Sequence, residues 1–418
     1  VQKKVLIITR EFLPYCHSLG GVMRVLKLGE YLVENGCEVF ILAGKGEKKL
    51  NYFGYKDSLH KMHISYNPVK QKEDKYWRIL YSFNKNIGRG FEEFAIPDAY
   101  VYSVNSYFKS AVKMIKKYKI KNVIISSPPH SMQLVGLKLK KYFGKSINLI
   151  VDYRDSWNTN EIFMKKNYLA QRISEFLEKK VLKNADHFTF ISQPILKKVE
   201  KKYNIDISKK STLIANGYDQ STLSDDYINK NNKISGDCIL LGHFGTVSDS
   251  DPYRNISNFL RALNKLQNDS HYASKINLHL FGTTEFKKFR SGKIKEIINI
   301  HKPVSHLEAL NKMKEMDWLL VFCSNYYGAD EVVTGRLYEY ISVRKPIIVI
   351  GPQSMEAVRI VEEENIGIFI NIEDENDILN KLKDIIDGKI DEINGYDTID
   401  LERYSRQYQY SKFFKIFK

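Results

Sequence analysis

Residues 328–351 read GADEVVTGRLYEYISVRKPIIVIG. The closing PIIVIG is short, almost wholly apolar and rich in β-branched residues, the pattern of a strand buried on both faces. Two carboxylates, Glu331 and Glu339, stand eight positions apart around a Thr-Gly-Arg turn. Residues Val332 to Arg336 precede the helix carrying Glu339, so their amides point at whatever sits before that helix, where the dipole favours an anion.

The same alternation of helix and buried strand extends outward in both directions. Toward the amino end lie CILLGHFG (238–245), ISNFLRALNKLQ (256–267), INLHLFG (276–282) and WLLVFC (318–323). Earlier still, VLIIT (5–9) precedes the helical stretch GGVMRVLKLGEYLVENG (20–36) and EVFILAG (38–44). VIISS (123–127), a helix from Met132 to Phe143, LIVDY (149–153), a helix from Ala170 to Asn184 and HFTFIS (187–192) continue the series. Short buried strands alternating with helices predict an α/β chain with parallel sheets covered on both faces. At 418 residues the chain exceeds one ordinary core, and two doubly wound, Rossmann-like domains of about 200 residues each are expected. The polar stretch 218–236 is the expected join, which gives domains over residues 1–222 and 236–401.

Composition narrows the function. The opening VQKKVLIITREFLP reads as a first buried strand and not as a signal peptide, and no apolar run approaches the roughly 20 residues that span a bilayer. Cys16, Cys37, Cys238 and Cys323 are far apart and have no CxxC spacing, which argues for reduced thiols in the cytoplasm and against a zinc site. Residues 1–210 carry 39 Lys and Arg against 19 Asp and Glu; residues 211–418 carry 26 against 30. A genome-wide taste for lysine would load both halves, so the basic first half is expected to meet anionic partners: lipid surfaces, nucleic acid or polyanionic substrates. Nucleic acid lacks support, because no base-stacking module or recognition helix is evident. The segment 70–121, with KYWRILYSFNKNIGRGFEEF (75–94) at its heart, interleaves aromatics with Lys and Arg. It reads as a contact at headgroup level or as a helical hairpin with its rings packed inward.

Candidate binding residues cluster at strand ends. Gly20 and Gly21 fall between the first strand and its helix, where backbone can approach a phosphate, although the GxGxxG fingerprint is absent. HFGTVSDSDPYRN places Gly245 and Thr246 after a strand and Arg254 at the mouth of a helix. One carboxylate can accept both hydroxyls of a ribose, and arginine with helix-start amides suits a diphosphate. Glu339 therefore reads as the sugar grip of a nucleotide and Val332, Val333, Thr334, Gly335 and Arg336 as its phosphate cradle. Glu331 then lies toward what the phosphates carry.

With these residues the chain resembles, over essentially its whole length, the GT-B glycosyltransferases, specifically the retaining family-4 type of polysaccharide and glycan assembly. Glu331 and Glu339 match that family's E-x7-E motif, and TGRLYEYISVRKPIIVIG is similar to its "PGKLFEYLAARRPIL" variant, with Arg336 where Lys is usual. Gly20 and Gly21 match the first-loop glycines, Asn216, Gly217 and Asp219 the "PNGVD" turn, and Gly245, Thr246 and Arg254 the diphosphate loop, here a few residues longer. SSPPH (126–130) and VDYRDSW (151–157) resemble further segments, and the tail, about 402–418, resembles the helix that crosses back to the first domain. Where many relatives carry a histidine, Arg154 and Asp155 stand, and His130 is the nearest substitute.

The resemblance implies two Rossmann-like domains facing a central cleft. It implies transfer of a sugar, with retention, from a nucleotide-diphosphate donor (UDP by family frequency) to a lipid-linked or polysaccharide acceptor. Glu331, Val332, Val333, Thr334, Gly335, Leu337 and Glu339 would line the donor. Arg254 and Arg336 would stabilise the leaving diphosphate, and Asp155 or His130 would orient acceptor or sugar. No metal and no cofactor are expected: DSD (249–251) falls in the phosphate loop and reads as a turn. The expected partners are the donor, the acceptor and an anionic membrane, with the protein peripheral at the cytoplasmic face. A nucleotide-sugar epimerase or phosphorylase of the same fold is the rival reading, and a non-enzymatic nucleic-acid-binding protein a more distant one.

Overall fold

The computed structural model describes residues 2–16, 20–46, 56–68, 95–220, 238–282, 284–286, 293–390 and 393–418. They assort into two compact units, Val1–Ala215 with Tyr410–Lys418, and Asn216–Gln409.

The first unit is a parallel sheet of seven strands: β1 (Lys4–Ile8), β2 (Glu38–Lys45), β3 (His63–Pro68), β4 (Asn122–Ser127), β5 (Asn148–Tyr153), β6 (His187–Phe190) and β7 (Ser211–Leu213). Their order is β3-β2-β1-β4-β5-β6-β7. Helices α1 (Gly20–Glu34), α2 (Lys56–His60), α3 (Val104–Tyr118), α4 (Ser131–Phe143), α5 (Tyr168–Asn184) and α6 (Gln193–Tyr203) alternate with the strands. Side chains of a strand alternate between faces. In β1, Leu6 and Ile8 join Val123, Ile125 and Val151 in one core. Val5 and Ile7 join Val25 and Leu32 of α1, and Tyr410, Phe413 and Phe417, in the other. Both faces are dry, which is why the strands read as unbroken apolar runs.

The second unit repeats the plan with six parallel strands: β8 (Ile239–Phe244), β10 (Ile276–Phe281), β12 (Ile298–His301), β13 (Trp318–Phe322), β14 (Ile347–Gly351) and β15 (Gly367–Asn371), beside a small pair, β9 (Val247–Ser248) and β11 (Thr284–Glu285). The large sheet runs β12-β10-β8-β13-β14-β15. Its helices are α7 (Ser257–Asn268), α8 (His306–Glu315), α9 (Gly335–Ser342), α10 (Glu356–Glu363) and α11 (Glu375–Ile386); α12 (Arg406–Ile416) follows. In both sheets the winding direction reverses beside the unit's first strand, between β1 and β4 and between β8 and β13. Open α/β sheets bind ligands outside the carboxyl ends of the strands at such a reversal.

The division between units falls at Ala215/Asn216, just before the join expected at 218–236, and residues 221–237 lie outside the described residues. Residues 402–409 group with the second unit, so only the part of the tail from Tyr410 onward returns to the first. The reason is a backbone clasp. Tyr218 N–H donates to Tyr404 O (3.0 Å) and Arg406 N–H to Tyr218 O (2.8 Å). An Arg406–Asp219 ion pair lies beside it at 3.1 Å. Gly217, at φ +68°, permits the approach, since a Cβ there would lie 2.8 Å from Arg406 N. The aromatic-basic heart of segment 70–121, residues 75–94, lies outside the described residues. From Ala95 on, the segment is a short 3-10 turn and then α3, which buries Tyr107, Ala111, Met114 and Ile115 and so packs inward.

Candidate active site

In the second unit, the loops that leave β8 and β13 are tied together: Asn255 N–H donates to the Ser324 hydroxyl at 2.8 Å. After β8 the chain turns at Gly245, whose N–H donates to Phe281 O on the neighbouring strand (2.9 Å), and Thr246 stands exposed. Beneath Gly245 lies His243, only 8% exposed. Its Nδ1 is 2.9 Å from Leu320 O, an oxygen that can only accept, so Nδ1 carries the proton. Nε2 is then a bare acceptor with no partner among the described residues, and a Cβ on Gly245 would lie 2.9 Å from it. Burial lowers the His243 pKa to about 4, so the ring is neutral. DSD (249–251) is a turn: the Ser248 hydroxyl accepts the amides of Ser250 and Asp251, and the Asp251 carboxylate accepts Tyr253 N–H at 2.8 Å. Arg254 is exposed, with its carbonyl held by Ser248 N–H at 2.9 Å.

Glu331 and Glu339 are both buried but belong to different elements, a 3-10 turn (Ala329–Glu331) and α9. The helix begins at Gly335, two residues sooner than expected, so Gly335 and Arg336 form its first turn rather than precede it. Val332 and Thr334 are half-buried and Gly335 is exposed. The side chains of Val333 and Leu337 are in the core, which leaves only their backbone for a ligand. Arg336, expected on the phosphates, pairs with Glu339 Oε2 because positions i and i+3 share a helix face. The other oxygen, Oε1, lies 3.6 Å from His306 Nδ1. Burial holds His306 below its ordinary pKa, with Glu339 opposing. His243, His306 and Ser324 are the residues the sequence did not single out. His243 alternates as a strand residue, His306 opens a helix, and only the polar Ser324 just past β13 carried any hint.

The first unit assembles a second cluster at its own strand ends. Gly20 and Gly21 open α1, and among the described residues a Cβ at either meets nothing within 4 Å. The Arg154 guanidinium donates to the carbonyls of Gly21, Ser127 (3.3 Å) and Pro128, fixing the loop after β4 against the start of α1. Asp155, next in sequence, is exposed. His130, expected beside it, is walled in. It is 2% exposed, stacked on Trp157 (5.4 Å between centroids, 5° between planes) and edge-on to Phe163. Burial, reinforced by Arg154, lowers its pKa to about 3, so it is a neutral ring inside an aromatic box. The start of α4 is already filled: Asp98 accepts Ser131 N–H at 2.9 Å. Below the cluster Asp152, fully buried, is held ionised by Arg24 at 2.7 Å and by Thr189 and Ser126.

Among the described residues no group of three or more His, Cys, Asp or Glu side chains is placed to hold a metal ion, and the four cysteines are free. Among the described residues, too, no helix is long and apolar enough to cross a membrane.

Residues 19–222 match the family model described as Glycosyltransferase Family 4. No curated protein matches the sequence. Among solved structures, the Anabaena protein HepE in complex with UDP-glucose is 12% identical with a TM-score of 0.62, and the match covers 99% of this chain and 98% of that one. An α,α-trehalose-phosphate synthase (UDP-forming) from Burkholderia vietnamiensis is 7% identical with a TM-score of 0.64, covering 99% of both chains. Sucrose-phosphate synthase from Thermosynechococcus elongatus is 12% identical with a TM-score of 0.59, covering 100% and 95%. At these identities the likeness is one of fold.

Proposed function

We infer that this chain, a family-4-like glycosyltransferase of the GT-B fold, moves a sugar from a nucleotide-diphosphate donor, UDP in our reading, to a lipid-linked or polysaccharide acceptor. The reading includes retention of configuration and no metal ion. The observation that supports it most is the reversal point of the second sheet. There the loops after β8 and β13 are joined through Asn255 and Ser324, and Glu339 stands one turn into the helix that follows.

In this reading Glu339 accepts the ribose hydroxyls, and the backbone of Gly245, Thr246 and Val332–Gly335, with Leu337 behind it, meets the diphosphate. As the bond from the sugar to the diphosphate breaks, charge grows on the phosphate oxygens, and Arg254 and Arg336 stabilise it. The Arg336–Glu339 pair supplies the exchange. Ribose hydroxyls replace the guanidinium on Glu339, and the released guanidinium turns to the phosphates, so neither charge is left unpaired. Glu331 meets the donor sugar. In the first unit the start of α1 at Gly20 and Gly21 leaves room for a ligand, and Asp155 orients the acceptor. The basic surplus of residues 1–210 suits a peripheral place on the cytoplasmic face of a membrane.

Calorimetry with UDP, GDP and UDP-sugars tests the donor half of this reading. Saturable binding of UDP is expected, and the absence of uptake of any of them at millimolar concentration would end it. Turnover of a UDP-sugar to an isomer without added acceptor would favour an epimerase instead.

A further inference from the structure

Helix α5 is amphipathic, and the fold uses only one of its faces. Ala170, Gln171, Ser174, Glu178, Val181 and Leu182 are buried. The opposite face carries Tyr168 (78% exposed), Leu169 (65%), Ile173 (41%) and Phe176 (57%). Leu169, Ile173 and Phe176 are spaced i, i+4, i+7, so they form one stripe along the helix. Single exposed apolar residues are ordinary, but four large ones within nine positions make a patch that water disfavours.

Cations surround the stripe. Arg172, Lys179, Lys180 and Lys183 are all exposed on the same face, and Lys180 Nζ sits 4.3 Å from the centre of the Phe176 ring. Beside Phe176 a groove opens toward α6, lined by Arg172, Lys179, Lys202 and Asn204. Its one carboxylate, Glu175, is already engaged by Arg172 (3.1 Å) and Lys202 (2.8 Å), leaving the groove cationic. Two copies of so basic a face would repel each other, which disfavours self-association. Apolar side chains ringed by Lys and Arg instead suit an anionic bilayer, with rings and branched chains at headgroup depth and cations on lipid phosphates.

We propose that the outward face of α5 is the surface by which this chain docks on an anionic membrane: Tyr168, Leu169, Ile173 and Phe176 enter the headgroup layer, and Arg172, Lys179 and Lys202 hold lipid phosphate. The proposal deepens the reading of a membrane-bound acceptor and rests on it, and it assigns the contact to α5 rather than to segment 70–121. The full chain is floated with phosphatidylcholine vesicles with and without phosphatidylglycerol. Flotation is expected only with the anionic vesicles. It should fall about tenfold or more in Leu169→Asp/Phe176→Asp, and also in Arg172→Glu/Lys179→Glu, while UDP affinity by calorimetry stays unchanged in both, which reports intact folding. Flotation of the apolar variant at the wild-type level would overturn the proposal. So would failure of the wild type to bind either vesicle, or sedimentation showing that the substitutions convert a dimer to a monomer. Loss of UDP binding by the wild type would instead strike the donor reading and leave the flotation result standing.

Discussion

Substituting Glu339 with alanine tests the site most directly, and the structure sets the size of the effect. Both carboxylate oxygens have neighbours: Oε2 is bonded by Arg336, and Oε1 lies 3.6 Å from His306 Nδ1. A ribose that binds here must displace Arg336. Hydrogen bonds to an ionised group contribute about 1.5–3 kcal/mol. The displaced pair returns at most about 1 kcal/mol, because the Arg336 side chain is 40% exposed and its charge is screened. The difference, about 0.5–2 kcal/mol, predicts that Glu339→Ala weakens UDP binding about 2- to 30-fold. Titration calorimetry on the wild type, both single variants and the Glu339→Ala/Arg336→Ala double variant measures it. The two positions should be non-additive, since each removes the other's partner. An unchanged UDP affinity in Glu339→Ala would refute the ribose role. A tighter one would mean that the carboxylate blocks the site by holding Arg336.

The remaining expectations are narrower. Arg336→Ala should lower turnover more than UDP affinity if the guanidinium acts on the leaving diphosphate, and equal losses by steady-state kinetics would reduce it to a binding residue. The pKa of His130 falls from an ordinary 6.5 to about 3 on folding, so the unfolded chain takes up its proton first and stability is lost as pH drops through that window. Between pH 7 and pH 5 the wild type should lose about 2 kcal/mol more than His130→Phe in denaturant unfolding, and parallel curves would contradict a buried neutral ring. Gly217→Ala should destabilise by about 1–3 kcal/mol, because φ is +68° and the new methyl meets Arg406 N; an unshifted midpoint in thermal unfolding would count against the clasp.

The alternation of strands and helices was legible because parallel strands dry on both faces leave unbroken apolar runs, as in IIVIG of β14 and VLII of β1. Shorter or half-covered strands were not. β3 and β12 alternate polar with apolar and lie at sheet edges, and β7 has three half-buried residues. Around the candidate site, type and spacing picked out Glu331, Glu339 and Arg336, since all three sit within nine residues. What spacing cannot carry is a contact between distant segments. His306 beside Glu339, Ser324 holding Asn255, and Trp157 closing over His130 are products of the fold. His130 shows the converse, a residue whose chemistry looked available until Trp157 and Phe163 were packed around it.

The clasp at Tyr218 and Tyr404–Arg406 makes the second unit an uninterrupted insert whose two ends are stitched side by side. The first unit, by contrast, is assembled from two segments that flank the second, Val1–Ala215 and Tyr410–Lys418. Tyr410, Phe413 and Phe417 fill a core begun by Val5 and Ile7, so residues synthesised after the whole of the second unit are needed before the first sheet can close its hydrophobic interior. An injury to α12 is therefore felt first in the unit that holds β1.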